Sequence, residues 1–485
     1  MKPSKMGVIM DNGIINNKVY LLSICGIAAL GGILFGYDTA VVSGAINSLQ
    51  IYFNLSPLET GWAVSNVVIG CIIGAFAAGT IADRWGRKVA LIISAILFSL
   101  SACGSALAPT FTSFVLFRII GGLAVGLAAT ISPMYMSETS PKDFRGRALS
   151  MQQFAIVFGQ ILIFYVNYEI AHYASSEWLT QVGWRWMFGS GVIPCLIFCV
   201  LVFFIPESPR WDVMAGRDDA ALNTLSRLSN PVHAQHLLRE IRQSVIEAGK
   251  SHNKVNWHEG TTRFILIVGC LIAILQQVTG VNVMMYYAPL VLKTVTGSVE
   301  SALFQTIWIG VVQLIGSLIG AVLLDRLGRL PLMRIGTLGA ILGLLITSFA
   351  LYRHSTGYFA LFGMLFFMVF YALSWGVGTW VLISEIFPND MRAQGMSMAV
   401  GCMWIANFFV SQTFPMLNEN PYLFRAFHGA FPMWVFAGFC LFSFFFISRY
   451  VPETKGVSLE KMRQTMMEKH EENFKKVMET KDASN

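Results

Sequence analysis

The sequence predicts an all-α membrane protein whose twelve transmembrane helices form two six-helix repeats. Three observations lead to this fold class. Apolar residues make up 55% of the 485 residues and charged residues only 13%, against about 25% charged in a typical soluble protein. Long apolar segments without charges recur along the chain, and two sequence markers occur once in each half of it. The mean hydropathy of +0.60 excludes a soluble, fibrous or disordered protein.

Twelve apolar segments are long enough to cross a bilayer, which takes about 20 residues as a helix. We number these segments spans 1 to 12. Their predicted limits are 19–43, 61–82, 89–107, 112–134, 151–173, 186–205, 264–292, 302–324, 331–352, 358–387, 396–415 and 431–451.

The spans divide the chain into five regions. Residues 1–18 form a leader, and the charged segment 206–263 separates two groups of six spans, at 19–205 and 264–451. This segment, the linker, has an amphipathic stretch at 233–248, so we expect short helices there. The polar tail is residues 452–485.

The basic residues predict the orientation. Most of the 34 Lys and Arg residues lie in the leader, in the loops after spans 2, 4, 8 and 10, in the linker and in the tail. The loops on the other side contain only Arg185, Lys293, Arg353 and Arg425. Because cytoplasmic loops are enriched in Lys and Arg, both termini are predicted to be cytoplasmic. The net charge of +7 therefore reflects topology, and no nucleic-acid partner is expected.

Two markers reveal an internal repeat. The pattern Asp-Arg-x-Gly-Arg follows span 2, at 83–87, and recurs six spans later, at 325–329. A glutamate seven residues before an arginine follows spans 4 and 10, as Glu138 with Arg145 and as Glu385 with Arg392. Parallel six-span repeats are typical of transporters that bind their substrate between two halves.

Two full charges lie deep inside predicted spans. Asp38 is in span 1 and Arg118 is in span 4. An unpaired charge in a bilayer costs several kcal/mol, so we expect these two side chains to pair. Protonation of Asp38 would release Arg118, which would couple the pair to a proton gradient. The alternative is a permanent ion pair that only fixes helix packing.

Span 7 contains Gln276, Gln277 and Asn282 at membrane depth, with Tyr286 one turn beyond. Amides donate and accept hydrogen bonds, as a polyhydroxylated substrate requires, although amides also tie helices together in membranes. Trp380 and Trp404 lie away from the expected interface belts and could stack on the apolar face of a sugar. Their alternative role is packing or interface anchoring.

Five motifs make the chain similar to a known family. They are Gly86-Arg87-Lys88, Arg118-Ile119-Ile120-Gly121-Gly122, Pro206-Glu207-Ser208-Pro209-Arg210-Trp211, Gln276-Gln277-Val278-Thr279-Gly280-Val281-Asn282 and Pro452-Glu453-Thr454-Lys455-Gly456. On these motifs the chain resembles the sugar porter family of the major facilitator superfamily, over about residues 19–460. The pattern is similar to that of bacterial proton-coupled symporters of xylose-like pentoses and hexoses. This similarity implies a location in a bacterial inner membrane.

The resemblance implies a sugar site between the two halves, with Gln160 as a fourth amide and Asp38 as the proton carrier. The expected substrate-binding residues are Phe35, Gln160, Gln276, Gln277, Asn282, Tyr286, Gln313, Gly376, Trp380, Met403 and Trp404. The charged motif residues at the inner face could form a gate of ion pairs between spans, which would hold the two halves closed there. The alternative is that these charges only set the topology. The expected gate residues are Asp83, Arg84, Arg87, Glu138, Arg145, Glu207, Arg210, Asp325, Arg329, Glu385 and Arg392.

The chain departs from the family pattern at several positions. Met403 stands where relatives carry an amide, Gln313 replaces an asparagine, and no proline follows Gly376. Gly191 takes the place of a second carboxylate that some coupled relatives have in span 6, and Leu330 replaces the last basic residue of the second Asp-Arg-x-Gly-Arg copy. One lost amide removes a hydrogen bond of about 0.5–1.5 kcal/mol, so a shifted sugar preference is expected.

The sequence therefore predicts a proton-coupled monosaccharide symporter that works by alternating access, as a monomer. The alternatives are a facilitative uniporter of sugars or polyols and, more remotely, a sugar receptor that does not transport. No enzyme is expected, and no metal or cofactor, because the 8 Cys and 8 His have no metal-ligand spacing and no phosphate loop occurs.

Overall fold

The protein is a bundle of helices, and its structure is a computed structural model. It describes residues 17–250, 259–353, 358–388, 391–457, 461–469 and 471. Within these residues there is no strand, and 12 helices are long and apolar enough to cross a membrane. The predicted fold class is confirmed. The spans are Lys18–Tyr52, Pro57–Trp85, Arg87–Leu107, Phe111–Thr139, Phe144–His172, Ser176–Phe204, Gly260–Tyr286, Val299–Leu327, Arg329–Tyr352, Phe359–Ile386, Gln394–Asn418 and Phe431–Tyr450.

Span 1 is longer than hydropathy predicts. Its helix begins at Lys18, where Asn17 caps it by accepting a hydrogen bond from the backbone of Tyr20, and it continues to Tyr52 rather than ending near residue 43. The extra turns contain polar residues such as Asn47, yet they are buried against neighbouring helices. Protein contacts rather than lipid surround this end, so an apolar composition is not required there.

Glycines let the helices of the first half approach closely. A side chain at Gly36 would collide with the carbonyl oxygen of Ile156, and one at Gly122 would collide with that of Val67. Spans 1 and 5, and spans 4 and 2, are therefore in backbone contact, as is typical of helix pairs in membranes. This contact holds span 5 directly beside the middle of span 1.

Replacing Gly122 with alanine is expected to destabilise the folded protein by about 1–3 kcal/mol, because the added methyl group overpacks a backbone contact. The measurement is the thermal unfolding midpoint of purified protein in detergent. Gly79→Ala in span 2 is the matched control, since a Cβ there meets nothing within 4 Å. Equal midpoints for Gly122→Ala and the control would contradict the packing argument.

Spans 7 and 10 are not regular helices. Span 7 breaks between Gly260–Val278 and Val281–Tyr286, and the residue at the break, Gly280, has a left-handed φ of 91° that glycine adopts without strain. Span 10 contains a π-helical turn at Ala372–Gly376. Such turns occur often at functional sites. Both irregularities lie in segments where the sequence predicts substrate contacts.

The linker forms three helices at one end of the bundle, at Pro209–Met214, Asp218–Leu228 and Pro231–Lys250. The last of these contains the predicted amphipathic stretch. We call this end of the bundle, which also has the turns at 83–87 and 325–329, the linker end. The opposite end, with the loops at 53–56 and 419–420, is the far end.

The two halves of the bundle are joined by hydrogen bonds near the far end. The side chain of Gln50 donates to both carboxylate oxygens of Glu419 at 2.9 and 3.1 Å, and Ser65 donates to the Gln412 side chain at 2.6 Å. His172 lies 2.5 Å from Glu300 across the same boundary. These contacts close the far end.

Grooves separate the halves toward the linker end. One, of about 240 Å³, lies between spans 2 and 4 on one side and span 11 on the other, with Phe76 and Trp404 in its walls. A second, of about 700 Å³, lies between spans 1 and 5 and Leu318 of span 8. The structure is thus closed at the far end and open between the halves toward the linker end.

Candidate functional site

Three predicted amides form one connected chain in span 7. The side-chain nitrogen of Gln277 donates to the side-chain oxygen of Gln276 at 3.1 Å, and the side-chain nitrogen of Asn282 donates to the side-chain oxygen of Gln277. Gln276 in turn donates to the backbone oxygen of Trp375 in span 10 at 3.4 Å. All three amides are held in fixed orientations by this chain, which starts at the π-helical turn of span 10.

The break at Gly280 makes this chain possible. Gln276 and Gln277 end one helical segment and Asn282 begins the next, so the turn between them folds Asn282 back onto Gln277. Thr279 stabilises the end of the first segment by donating to the backbone oxygen of Gln276 at 2.7 Å. In a continuous helix, residues five apart lie on different faces, and the two side chains would point apart.

The two tryptophans of span 10 have different surroundings. Trp375 is completely buried and donates its ring N–H to Thr337 of span 9 at 2.8 Å, which makes it a packing residue. Trp380 follows Gly376 by one turn and is 41% exposed. Part of its side chain is therefore accessible, and its role in stacking on a ligand stays a prediction.

The first half of the chain contributes Phe35 and Gln160. The ring of Phe35 lies 6.2 Å from that of Trp404, in a tilted contact that crosses between the halves. The close approach at Gly36 brings the backbone of Gln160 to this level of span 1. The side-chain oxygen of Gln160 is buried and has no hydrogen-bond partner among the residues that the structure describes.

Spans 8 and 11 supply the remaining predicted residues. Met403 is 5% exposed, and the buried side-chain oxygen of Gln313 has no partner within the described ranges. Tyr286 hydrogen-bonds to Asn407, whose own side-chain oxygen accepts from Ser411 at 3.0 Å. Asn407 was missed by sequence reasoning, although it is an amide one turn beyond Met403 in the same span.

The predicted contact residues fall into two groups. The amides of span 7 are bonded to one another, and Phe35, Gln160 and Trp404 lie around the contact between the halves. No hydrogen bond between described residues joins Gln160 to the span 7 amides. An unpaired amide oxygen can accept a hydrogen bond from a hydroxyl group of a polyhydroxylated ligand.

Asp38 and Arg118 form a buried ion pair. One guanidinium nitrogen of Arg118 lies 2.9 Å from a carboxylate oxygen of Asp38, and the Arg118 side chain is completely buried. The other two nitrogens of Arg118 have no hydrogen-bond partner in the described part of the chain, and the ring of Phe188 faces its charge at 5.4 Å. Arg118 is thus held through a single contact, and its role in coupling stays a prediction.

At the linker end, Arg87 binds Glu138 of span 4 through two hydrogen bonds of 3.0 Å. The Glu207 carboxylate accepts from the backbone N–H groups of Arg87 and Lys88 at 2.9 and 3.1 Å. Ser208 links both carboxylates by donating to Glu138 at 2.5 Å. Burial raises the pKa of Glu207 above its ordinary value, and its backbone hydrogen bonds oppose this rise.

The same network recurs in the second half. Arg329 donates to both oxygens of Glu385 at 2.7 and 3.1 Å, and Glu453 accepts from the backbone N–H of Arg329 at 3.0 Å. Thr454 donates to Glu385 at 2.5 Å, as Ser208 does to Glu138. Sequence reasoning omitted Glu453 and Thr454 from the gate, although the repeated Pro-Glu dipeptides at 206–207 and 452–453 pointed to them.

The other predicted gate residues lie around these two networks. Asp83 is 3.2 Å from Arg87, and Asp325 is 3.9 Å from Arg329. Arg84 lies over the Trp85 ring, Arg145 donates to the backbone of Ser137, Arg210 lines a crevice beside Arg145, and Arg392 begins the helix of span 11. The ion pairs among these gate residues lie within one half each, so in this conformation they brace the halves separately.

No described group of His, Cys, Asp and Glu side chains is arranged to hold a metal ion. The groups that the structure does bring together are the hydrogen-bonded amides of span 7 and the buried ion pair of Asp38 and Arg118.

Comparison with known proteins identifies the family of this chain. The family model for the sugar (and other) transporters matches residues 24–466. The D-xylose-proton symporter of Escherichia coli K12 is 40% identical over 472 residues, which cover 92% of this chain and 96% of the relative. The arabinose-proton symporter of Bacillus subtilis 168 is 34% identical over 447 residues, with 92% of this chain and 95% of the relative covered.

A solved structure of the E. coli xylose transporter in an inward-open conformation superposes with a TM-score of 0.82 at 38% identity. The superposition covers 92% of this chain and 99% of the other. The family match spans both six-helix halves and the linker between them. The chain therefore belongs to the sugar transporter family, the sugar porters of the major facilitator superfamily.

Proposed function

We propose that this chain is a proton-coupled monosaccharide symporter that works by alternating access of its two halves. The observation that carries the proposal is the buried pair of Asp38 and Arg118, which lie 2.9 Å apart. A proton on Asp38 removes the charge that holds Arg118, so protonation changes the interactions between spans 1 and 4. The two curated relatives reported above are named as proton symporters, which supports the same reading.

The proposed substrate is a pentose or a hexose. The proposed site combines amides from both halves with aromatic rings, so that hydroxyl groups and C–H faces of the sugar each meet a partner. Gln160, Gln276, Gln277, Asn282, Trp380 and Trp404 make the main contacts, and Phe35, Tyr286, Gln313, Gly376 and Met403 complete the walls. The unpaired oxygens of Gln160 and Gln313 support this assignment.

We place the linker end in the cytoplasm of a bacterial cell, because the basic loops lie at that end. The structure then represents an inward-facing conformation, with the halves joined near the far end and apart at the linker end. The gate residues would pair across the halves only when the linker end closes. Each chain contains both halves of the site, so the working unit is proposed to be a monomer.

A facilitative uniporter is the second candidate function. The observation in its favour is Gly191, which lines the small cavity beside Asp38 where a second carboxylate could otherwise stand. With a single carboxylate at this cavity, energy coupling depends on Asp38 alone.

Purified protein in proteoliposomes is expected to accumulate at least one monosaccharide above its external concentration when an inward proton gradient is applied. A protonophore should abolish the accumulation, because the gradient supplies the free energy. The measurement is uptake of radiolabelled D-xylose, L-arabinose, D-glucose, D-galactose, D-fructose and myo-inositol. Uptake that stops at the external concentration and is unaffected by the protonophore would favour the uniporter.

A further inference from the structure

Tyr37 and its hydrogen-bond partner Ser190 lie between two cavities, and neither cavity belongs to the proposed sugar site. It precedes Asp38 in span 1, is 4% exposed, and its hydroxyl lies 2.7 Å from the hydroxyl of Ser190 in span 6. Ser190 donates its hydrogen to the backbone oxygen of Met187 at 2.6 Å. A serine hydroxyl has one hydrogen, so Tyr37 is the donor in its contact with Ser190.

The inner cavity lies beside the proton-binding carboxylate. Tyr37, Asp38 and Gly191 line it together with apolar side chains, and its volume is about 10 Å³. This is close to the smallest space that holds one water molecule, and the carboxylate and the phenol are polar partners for it. A single water can therefore link Tyr37 to Asp38.

The outer cavity is an open groove of about 980 Å³ between spans 5 and 6 in the far half of the bundle. Ser190 lines this groove, and so does the carboxylate residue Glu169 of span 5. The hydrogen-bonded pair of Tyr37 and Ser190 thus separates the groove from the cavity at Asp38. Tyr37 lines the cavity at Asp38, and Ser190 lines the groove.

Other titratable groups also face Asp38. They are Arg118 of span 4, Cys71 of span 2, Cys195 of span 6 and Tyr286 of span 7. All four are buried, and none of them lines the outer groove. Among the described residues, the pair of Tyr37 and Ser190 is the hydroxyl connection that touches both cavities.

We propose that Tyr37 and Ser190 carry the proton from this groove to Asp38, a role that rests on the proposed symport function. A proton from water in the groove binds the Ser190 oxygen, and the Ser190 hydroxyl proton passes to the Tyr37 oxygen. The Tyr37 proton then passes through one water to the Asp38 carboxylate. Each hydroxyl gains one proton and loses one, so the net change is one proton moved onto Asp38.

The orientation of the two hydroxyl hydrogens blocks proton transfer from the groove to Asp38 until the hydroxyls rotate. Tyr37 points its hydrogen at Ser190, and Ser190 points its own at the backbone of Met187, so neither of these two hydrogens is directed at Asp38. Both hydroxyls must rotate before a proton can enter. A coupled transporter needs this block here, because proton entry from the far side while the halves are open at the linker end would dissipate the gradient.

The test is sugar-driven proton influx in proteoliposomes, measured with an internal pH-sensitive dye and the best-transported sugar of the panel above. Tyr37→Phe and Ser190→Ala are expected to slow the influx by about ten-fold or more, the scale at which positioned proton donors act. Sugar counterflow needs no net proton movement and should stay near the wild-type rate. Ser190→Thr keeps the hydroxyl and should keep the influx.

Tyr173→Phe is the matched control, because Tyr173 lines the same groove, is 83% exposed and is not part of the relay. Proton influx at the wild-type rate in Tyr37→Phe would overturn the relay. Equal losses of influx and counterflow in that variant would also overturn it, since they would indicate a structural role. Wild-type protein without sugar-driven influx would instead overturn the proposed symport function.

Discussion

Replacing Asp38 with asparagine is expected to abolish sugar accumulation while sugar exchange continues. Asparagine has nearly the same shape and can still accept a hydrogen bond from Arg118, but it cannot bind a proton at physiological pH. The accumulation ratio under a proton gradient should fall to the equilibrium value, and protonophore sensitivity should disappear. The measurement is radiolabelled uptake in proteoliposomes, with counterflow recorded on the same preparation.

Asp219→Asn is the matched control for this experiment. Asp219 is an exposed carboxylate on the linker helix Asp218–Leu228, far from the sugar and proton sites in sequence and on another element. It should accumulate sugar like the wild type. If Asp38→Asn still concentrates sugar against its gradient, the Asp38–Arg118 pair is only a packing element and the coupling assignment is wrong.

Replacing Gln277 with alanine is expected to weaken sugar binding by about ten- to a hundred-fold. Gln277 is the middle member of the amide chain, which donates to Gln276 and accepts from Asn282. Its removal takes away one proposed ligand contact. It also leaves the buried side-chain oxygen of Gln276 and the half-buried amide of Asn282 without these partners, at a cost of about 1–3 kcal/mol for a buried group. Calorimetric titration of the detergent-solubilised protein with the best sugar of the panel gives the dissociation constant.

Gln305→Ala is the matched control, because it removes a buried amide that lies outside the proposed sugar site. Gln305 is 3% exposed in the first turns of span 8, near the far end, and lies outside the amide chain. Its removal is expected to leave sugar affinity close to that of the wild type. Equal affinity losses in both variants would mean that Gln277 acts through general stability rather than through a ligand contact.

Most of the fold was predictable because a bilayer imposes a simple rule. A single chain segment in lipid can satisfy all its backbone hydrogen bonds only as a helix. The length of an apolar segment is therefore enough to locate a span. The prediction failed where this rule does not apply. The last turns of span 1, with the polar residue Asn47, are buried by protein, and hydropathy could not include them.

Much of the candidate site was also visible in the sequence, because polar groups in apolar segments are costly and stand out. Gln276, Gln277 and Asn282 could be named on that basis, and so could Asp38 and Arg118. Tyr37 and Ser190 could not be named from the sequence, because a single hydroxyl group in a span is common and costs little free energy. Their significance depends on a contact between two helices that are distant in the sequence.

Twelve spans, their division into two repeats and the small set of polar residues inside them could all be predicted from the amino-acid sequence. These properties follow from composition and spacing, because an apolar segment of sufficient length forms a helix across the bilayer. The three-dimensional structure was needed to see that the halves are joined near the far end and that each Arg-Glu network braces one half. It was also needed to see that Tyr37 stands between a groove and Asp38. Such features depend on how helices pack across the bundle, and the close approaches at Gly36 and Gly122 set that packing through backbone contacts that no local pattern records.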